Sequence, residues 1–349
     1  MPKYLMGIDN GVTVTKAAIY DLEGREIGVY SSKTTTFKPQ PGFFERDLRE
    51  VWEANVQAIS TVMKTTGITA DDILAVAVTG HGNGIYLVDA QGAPVYHGIL
   101  STDSRAKEYA NKWLADGTFE RVLPKTMQAL WPGQPNALLA WLKDHEPDVF
   151  KKIRWVFMCK DYIRYCLTGE AYAEITDMSG TSLLNVRDMT YDRELLRAFG
   201  IEDCIELLPP LKYSADICGY ITKAAAAKTG LKKGTPVAGG LFDIDACAIA
   251  TGITSEDKLC LVAGSWCNNQ YISTKPIASK LLFMTSLYCI PGYWLILEGS
   301  ATSASNLEWF VTEFFGEERK NAEEHGRSLY DLCNELVAST SPEIGRAHV

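Results

Sequence analysis

Tyr4-Leu5-Met6-Gly7-Ile8-Asp9-Asn10-Gly11-Val12-Thr13-Val14-Thr15-Lys16-Ala17-Ala18-Ile19-Tyr20-Asp21 reads as an apolar strand that stops at Asp-Asn-Gly and resumes as a second strand after Lys16. The pattern predicts a hairpin shaped to hold phosphate. Asn10-Gly11 supplies the positive-φ residues that a tight hairpin favours. Gly11 lets backbone N–H groups approach an anion closely, and Thr13 and Thr15 offer hydroxyls. Asp9, at the strand end, can hold Mg2+ directly or through water. An ordinary surface hairpin satisfies the same stretch, so the weight falls on what surrounds it.

Outward from the hairpin, Leu22-Glu23-Gly24-Arg25 is a turn into a third strand, Glu26 to Tyr30, which gives an antiparallel meander. Asp47 and Glu50 form a capping-box-like start to a helix whose apolar residues, Leu48, Val51, Trp52, Val56, Ile59, Val62 and Met63, keep to one face; Gly67 marks its end. Ile73-Leu74-Ala75-Val76-Ala77-Val78 is a continuous apolar run, as in a strand buried on both faces. It delivers Thr79-Gly80-His81-Gly82-Asn83-Gly84 to its carboxyl end, the edge where ligands sit in open α/β sheets. The middle of the chain is mainly helical, and Thr235-Pro236-Val237-Ala238-Gly239-Gly240 introduces another strand and a glycine turn. A boundary is expected near Thr251-Gly252, because Leu259 to Asn268 again has the form of an apolar strand, a Gly-Ser turn and a resumed strand. Two similar domains facing one nucleotide is the architecture this loose echo suggests.

With 349 residues, 46% hydrophobic and 22% charged, the chain has the makeup of a globular protein large enough for two domains. A net charge of −9 argues against a nucleic-acid partner held by phosphate neutralisation. The nine cysteines are scattered with no Cys-x-x-Cys pair, which reads as free thiols in a reducing cytoplasm. The five histidines form no local metal-ligand cluster. No apolar run reaches membrane-spanning length and no signal segment opens the chain, so a cytoplasmic protein is expected.

Phosphoryl transfer to an alcohol needs a group that receives the hydroxyl proton, a cation on the phosphates, and donors around the charge being moved. Asp243, in Ala238-Gly239-Gly240-Leu241-Phe242-Asp243, is the candidate base: the glycines permit close substrate approach and the carboxylate follows a strand end. A helix N-cap is the competing role for the same residue. Asp245 is the local competitor, and two residues' separation on a new helix points it elsewhere.

The opening hairpin resembles the first phosphate-binding loop of the sugar kinase, Hsp70 and actin superfamily, where Asp-x-Gly-Thr-Thr-x-x-Lys or Arg joins the first two strands of a ribonuclease-H-like domain. Val12 replaces the first of the paired Thr/Ser positions, so the resemblance puts Thr13 on the hydroxyl contact and Lys16 at the basic position. Around Asp243 it narrows to the FGGY carbohydrate kinases, whose Gly-Gly-Gly-Asp-Asn-type motif carries the catalytic base. Pro41-Gly42-Phe43-Phe44-Glu45-Arg46-Asp47, Asp161-Tyr162-Ile163-Arg164-Tyr165-Cys166-Leu167-Thr168-Gly169, Thr176-Asp177-Met178-Ser179-Gly180, and Glu298-Gly299-Ser300 through Trp309 are similar to further segments of that family. The resemblance covers essentially the whole chain. It implies an α/β fold: a ribonuclease-H-like (actin-like ATPase) sugar- and phosphate-binding domain over residues 1–252, and a related, incomplete nucleotide domain over 253–342. ATP and Mg2+ are the implied cofactors, with Asp9 toward the metal and Gly264 and Ser265 at the second phosphate loop.

Within the family, neither the Gly-Gln-Met-His-Gly loop of D-xylulose kinases nor the Asn-Gln-Arg-Glu of glycerol kinases is present. Gly80-His81-Gly82-Asn83-Gly84, with Ser101-Thr102-Asp103-Ser104-Arg105 and the Asp243 motif, looks instead like the L-xylulose or 3-keto-L-gulonate kinase branch. His81 and Asn83 are assigned to sugar hydroxyls and Asp103 to a further acceptor. A strand-end hydrogen bond is the competing role for His81. The implied partner is a small sugar, with neither nucleic acid nor membrane, and homodimerisation is left open. The family's adenine-binding Gly-Gly-x-x-x-Ser segment does not appear after Trp309, and Glu343 to Val349 reads as a translated sequencing adapter, so the chain as it stands is expected to be impaired. A glycerol or polyol kinase and a noncatalytic sugar-binding protein of the same fold are the alternatives. A nicotinamide dehydrogenase is disfavoured because the opening strand lacks Gly-x-Gly-x-x-Gly.

Overall fold

The alternation of Met6, Ile8 and Asn10 inward with Leu5 outward makes Tyr4–Asn10 (β1) a strand with one buried face. The computed structural model, which describes residues 2–263, 267–300 and 303–341, places it at the centre of the main sheet. On one side, β2 (Val14–Asp21) runs antiparallel to β1, and β3 (Glu26–Lys33) antiparallel to β2. On the other side, β4 (Ile73–Gly80) runs parallel to β1. The sheet continues through β5 (Ile217–Tyr220) and β6 (Pro236–Ala238) in the order β5-β6-β4-β1-β2-β3. A short strand, β7 (Leu241–Phe242), also pairs parallel with β4. This meander joined to parallel strands is the expected ribonuclease-H-like arrangement.

Helix α1 (Leu48–Thr66) covers the meander with Leu48, Val51, Ala58, Ile59 and Val62 fully buried. Asp47 caps it by accepting from the Arg49 N–H, and Gly67 ends it at φ 70°. The capping box is not closed: the Glu50 carboxylate accepts instead from the Thr35 N–H at 2.7 Å.

The chain divides into two compact units, Met1–Cys260 with Gln270–Glu298, and Leu261–Asn269 with Gly299–Val349. Compactness therefore does not divide the chain at residue 252. Residues 270–298 join the first unit because long-range bonds stitch them there. Thr285 accepts from Gln128 Nε2 at 2.8 Å and donates its N–H to the Met127 carbonyl at 2.9 Å, and the Leu287 N–H donates to Ser179 Oγ at 2.9 Å. The second unit carries the helices Ala304–Phe314, Gly316–Glu324 and Leu329–Ala338, and leaves Trp309, Phe314 and Val337 exposed.

Candidate active site

Strand register builds the site. Asp9 lies opposite Thr79 on one flank of β4, Leu241 lies opposite the same Thr79 on the other, and the Thr79 hydroxyl donates to the Leu241 carbonyl at 2.8 Å. The chain reaches this position through Gly240, whose φ is 85° and where a Cβ would fall 1.9 Å from the Val78 carbonyl oxygen. Only glycine fits that turn. Asp243 then opens helix α2 (Asp243–Ala250) as its first residue; the N-cap position belongs to Phe242, and no side chain caps the helix. Burial, and then the nearby Asp9 charge, raise the Asp243 carboxyl from 3.8 to about 7.

Asp9 is itself raised by burial, opposed by Lys16, whose ammonium lies 3.9 Å away. Asp9, Lys16 and Thr79 line one concavity. Asp245 points elsewhere: it is fully buried, and its Oδ1 accepts from the Cys289 N–H at 3.0 Å.

The hairpin after Asp9 differs from its sequence reading. Neither Asn10 nor Gly11 takes a positive φ. Asn10 is the last residue of β1, with its Oδ1 accepting from Asn55 Nδ2 at 2.8 Å and Thr15 Oγ1 at 3.2 Å. These bonds hold Asn10 in the extended strand, and the loop from Gly11 to Thr13 closes by a Gly11 N–H to Val14 carbonyl bond at 3.0 Å. A loop of this length does not require the two left-handed residues of a two-residue turn. The Thr15 hydroxyl is therefore spent on Asn10, whereas Thr13 is exposed.

On the loop after β4, His81 and Asn83 are both buried. His81 Nε2 lies 2.9 Å from the Tyr86 hydroxyl, and burial with the Arg46 charge lowers the ring from 6.5 to about 3. Asn83 has φ 58°, and its Oδ1 is buried without a hydrogen-bond partner. Between them, a Cβ on Gly82 would lie 2.2 Å from Phe242 Cε2 and 2.8 Å from Asp177 Oδ1. The loop thus packs directly on the segment that delivers Asp243.

Asp103 requires a correction. Its Oδ2 accepts from the Phe44 N–H at 2.7 Å and from Arg105 Nη2 at 2.9 Å, and its Oδ1 from the Arg105 N–H and Nε. Those bonds commit its acceptor capacity to holding two loops together, leaving no free oxygen for a sugar. Gly264 and Ser265 lie outside the described residues.

Two groups were not singled out from the sequence. Arg46, fully buried, donates to the Gly11 carbonyl at 3.1 Å and to Thr34 Oγ1 at 2.5 Å, and approaches His81. Lys160, also fully buried, stands 2.8 Å from Asp161, 3.2 Å from Glu174 and 3.7 Å from Asp177. Their only local signal was a cation beside an acidic residue, which on a surface helix or loop would mean nothing.

Mg2+ on a nucleotide commonly takes one or two protein carboxylates and completes its shell with phosphate and water. Among the described residues no group of three potential ligands is gathered. One carboxylate beside a second carboxyl, balanced by a single half-exposed lysine at 3.9 Å, is a donor set that fits such a cation. The exposed Thr13 and Lys16 suit its phosphates.

The family model described as FGGY family of carbohydrate kinases, N-terminal domain, matches residues 4–250. The chain is 38% identical over 340 residues to the L-xylulose/3-keto-L-gulonate kinase of Escherichia coli, covering 97% of this chain and 66% of that protein. It is 36% identical over 315 residues to a probable L-xylulose kinase of Pasteurella multocida, covering 89% and 65%. Among solved structures, the xylulose kinase from Rhodospirillum rubrum matches with a TM-score of 0.87 at 27% identity, over 97% of this chain and 68% of that one. The chain spans just under two thirds of the length of these curated relatives.

Proposed function

The chain belongs to the FGGY family of carbohydrate kinases, and from that premise we propose that it serves phosphoryl transfer from ATP to a terminal hydroxyl of a ketose of the L-xylulose or 3-keto-L-gulonate type. The observation that carries the reading is the convergence of Asp9 and Asp243 on one sheet edge, close enough for one charge to raise the other's pKa. A carboxyl at about 7 is matched to accepting a proton near neutral pH, where general-base catalysis is most effective.

In this reading Asp243 takes the proton from the attacking sugar hydroxyl. His81 and Asn83 hold the sugar, and their buried, unpartnered polar atoms are the feature that supports recognition. Asp9 would hold Mg2+, while Thr13, Lys16 and the hairpin N–H groups would hold the phosphates; the bound ion supplies neutralisation of charge on the transferring group. Gly264 and Ser265 remain proposed for the second phosphate loop. Among the described residues no helix is long and apolar enough to cross a membrane, and a cytoplasmic site of action suits the use of ATP.

The test is sugar-dependent ADP release across a panel of ketoses and polyols with Mg-ATP, using a chain completed to the length of its relatives. L-xylulose or 3-keto-L-gulonate should be turned over well ahead of glycerol. Glycerol as the best substrate, or none of the panel accepted, would overturn the assignment.

A further inference from the structure

His81 is 6% exposed, and its two ring nitrogens meet different surroundings. Nε2 lies 2.9 Å from the Tyr86 hydroxyl and 3.5 Å from Arg46 Nη1. Nδ1 is buried with no hydrogen-bond partner of ordinary geometry, the Gly82 backbone exerting only a smaller effect on the ring. A guanidinium only donates and stays charged. A proton on Nε2 would therefore point toward a cationic donor, whereas a lone pair there is stabilised by Arg46 and can accept from the Tyr86 hydroxyl. The ring is neutral near pH 7, since burial and Arg46 hold its pKa at about 3. With Nε2 as the acceptor, the one ring proton resides on Nδ1.

We propose that Arg46 and Tyr86 are positioning residues that lock His81 in the Nδ1–H tautomer, so that the site presents a buried donor to an acceptor oxygen of the substrate. A buried donor left unpaired carries an uncompensated desolvation cost, and a carbonyl, ring or hydroxyl oxygen placed against it removes that cost. Arg46 also donates to the Gly11 carbonyl and the Thr34 hydroxyl, so one buried side chain braces both the phosphate hairpin and the sugar loop. The identity of the acceptor as a sugar oxygen rests on the kinase reading; the tautomer does not.

The 349-residue chain labelled with nitrogen-15 histidine tests this by long-range proton–nitrogen correlation, with His81 assigned by its loss in His81→Gln. The expected result is Nδ1 protonated and Nε2 bare, unchanged between about pH 6 and about pH 8. Arg46→Gln, which supplies a carbonyl able to accept from Nε2–H, should let the other tautomer appear, while Arg46→Lys should retain the original one. Tyr86→Phe, a milder change should Arg46→Gln fail to fold, should also admit Nε2–H and weaken L-xylulose binding by about three- to tenfold in calorimetry. An Nε2–H or imidazolium signal in the unmodified chain overturns the proposal, as does a tautomer indifferent to Tyr86→Phe and Arg46→Gln alike. Nδ1–H together with no L-xylulose binding supports the lock and counts against the kinase reading instead.

Discussion

Asp9 and Asp243 close the same edge of the sheet from opposite flanks of β4, because Asp9 and Leu241 both pair with Thr79 and Asp243 follows two residues later. Under the proposed function, their coupling would divide the labour. Asp9 faces a lysine and suits a cation, while Asp243 is held near neutrality by burial and by the Asp9 charge.

Asp243→Asn should keep most sugar affinity and lower kcat by about 10²–10⁴-fold in a completed enzyme, since the amide preserves shape but accepts no proton. Steady-state kinetics and calorimetry check the two halves. Near-normal turnover would remove Asp243 from the base role. Asp245→Asn should act mainly on stability, because that carboxyl is buried and engaged with the Cys289 N–H.

The raised Asp243 pKa has two pH signatures of defined sign. Activity should rise with pH through about 7 as the base ionises, and a kcat/KM profile flat across that range would contradict it. Between 3.8 and about 7 the folded state holds a proton that the unfolded chain has released, so this group's contribution to stability falls as pH rises through that window. Asp243→Asn should therefore gain in melting temperature relative to the parent on going from about pH 5 to about pH 8. A melting difference independent of pH would show that the carboxyl titrates normally.

What was legible in the sequence followed from local periodicity. The alternation in Tyr4–Asn10, the apolar run ending at Val78 and the Gly239-Gly240 turn sufficed to place Asp9 and Asp243 at strand ends. What was not legible depended on partners far along the chain. The buried Arg105 that occupies Asp103 also pairs with Glu45, and the backbone of Asn10 is set by Asn55 rather than by the following glycine. Arg46 and Lys160 carry no local signal of burial, and only the folded chain shows that they are buried. Likewise, the attachment of residues 270–298 to the first unit rests on bonds to Gln128, Met127 and Ser179 that no local pattern encodes.

Lys160→Met should destabilise the first unit by about 3–5 kcal/mol, because it strips the cation from buried Asp161, Glu174 and Asp177. Arg164 would still neutralise Asp161, at 2.7 Å, but not the other two carboxyls. Denaturant melts would measure the loss. A change below about 1 kcal/mol would mean that the carboxyls readily take up protons in place of the lysine.

Asn83 permits its backbone and side-chain roles to be separated. At φ 58° it sits in the left-handed region, which glycine enters freely and which costs other residues about 1–2 kcal/mol. Its amide oxygen has no partner among the described residues, so removing the side chain breaks no internal bond at that atom. Asn83→Gly should therefore melt close to the parent yet blur discrimination among ketoses, whereas Asn83→Ala should lose the same discrimination and about 1 kcal/mol of stability besides. Thermal melts paired with kcat/KM across the sugar panel give both readouts. If Asn83→Gly leaves the order of substrates unchanged, the residue serves the turn alone, and recognition on this loop falls to His81.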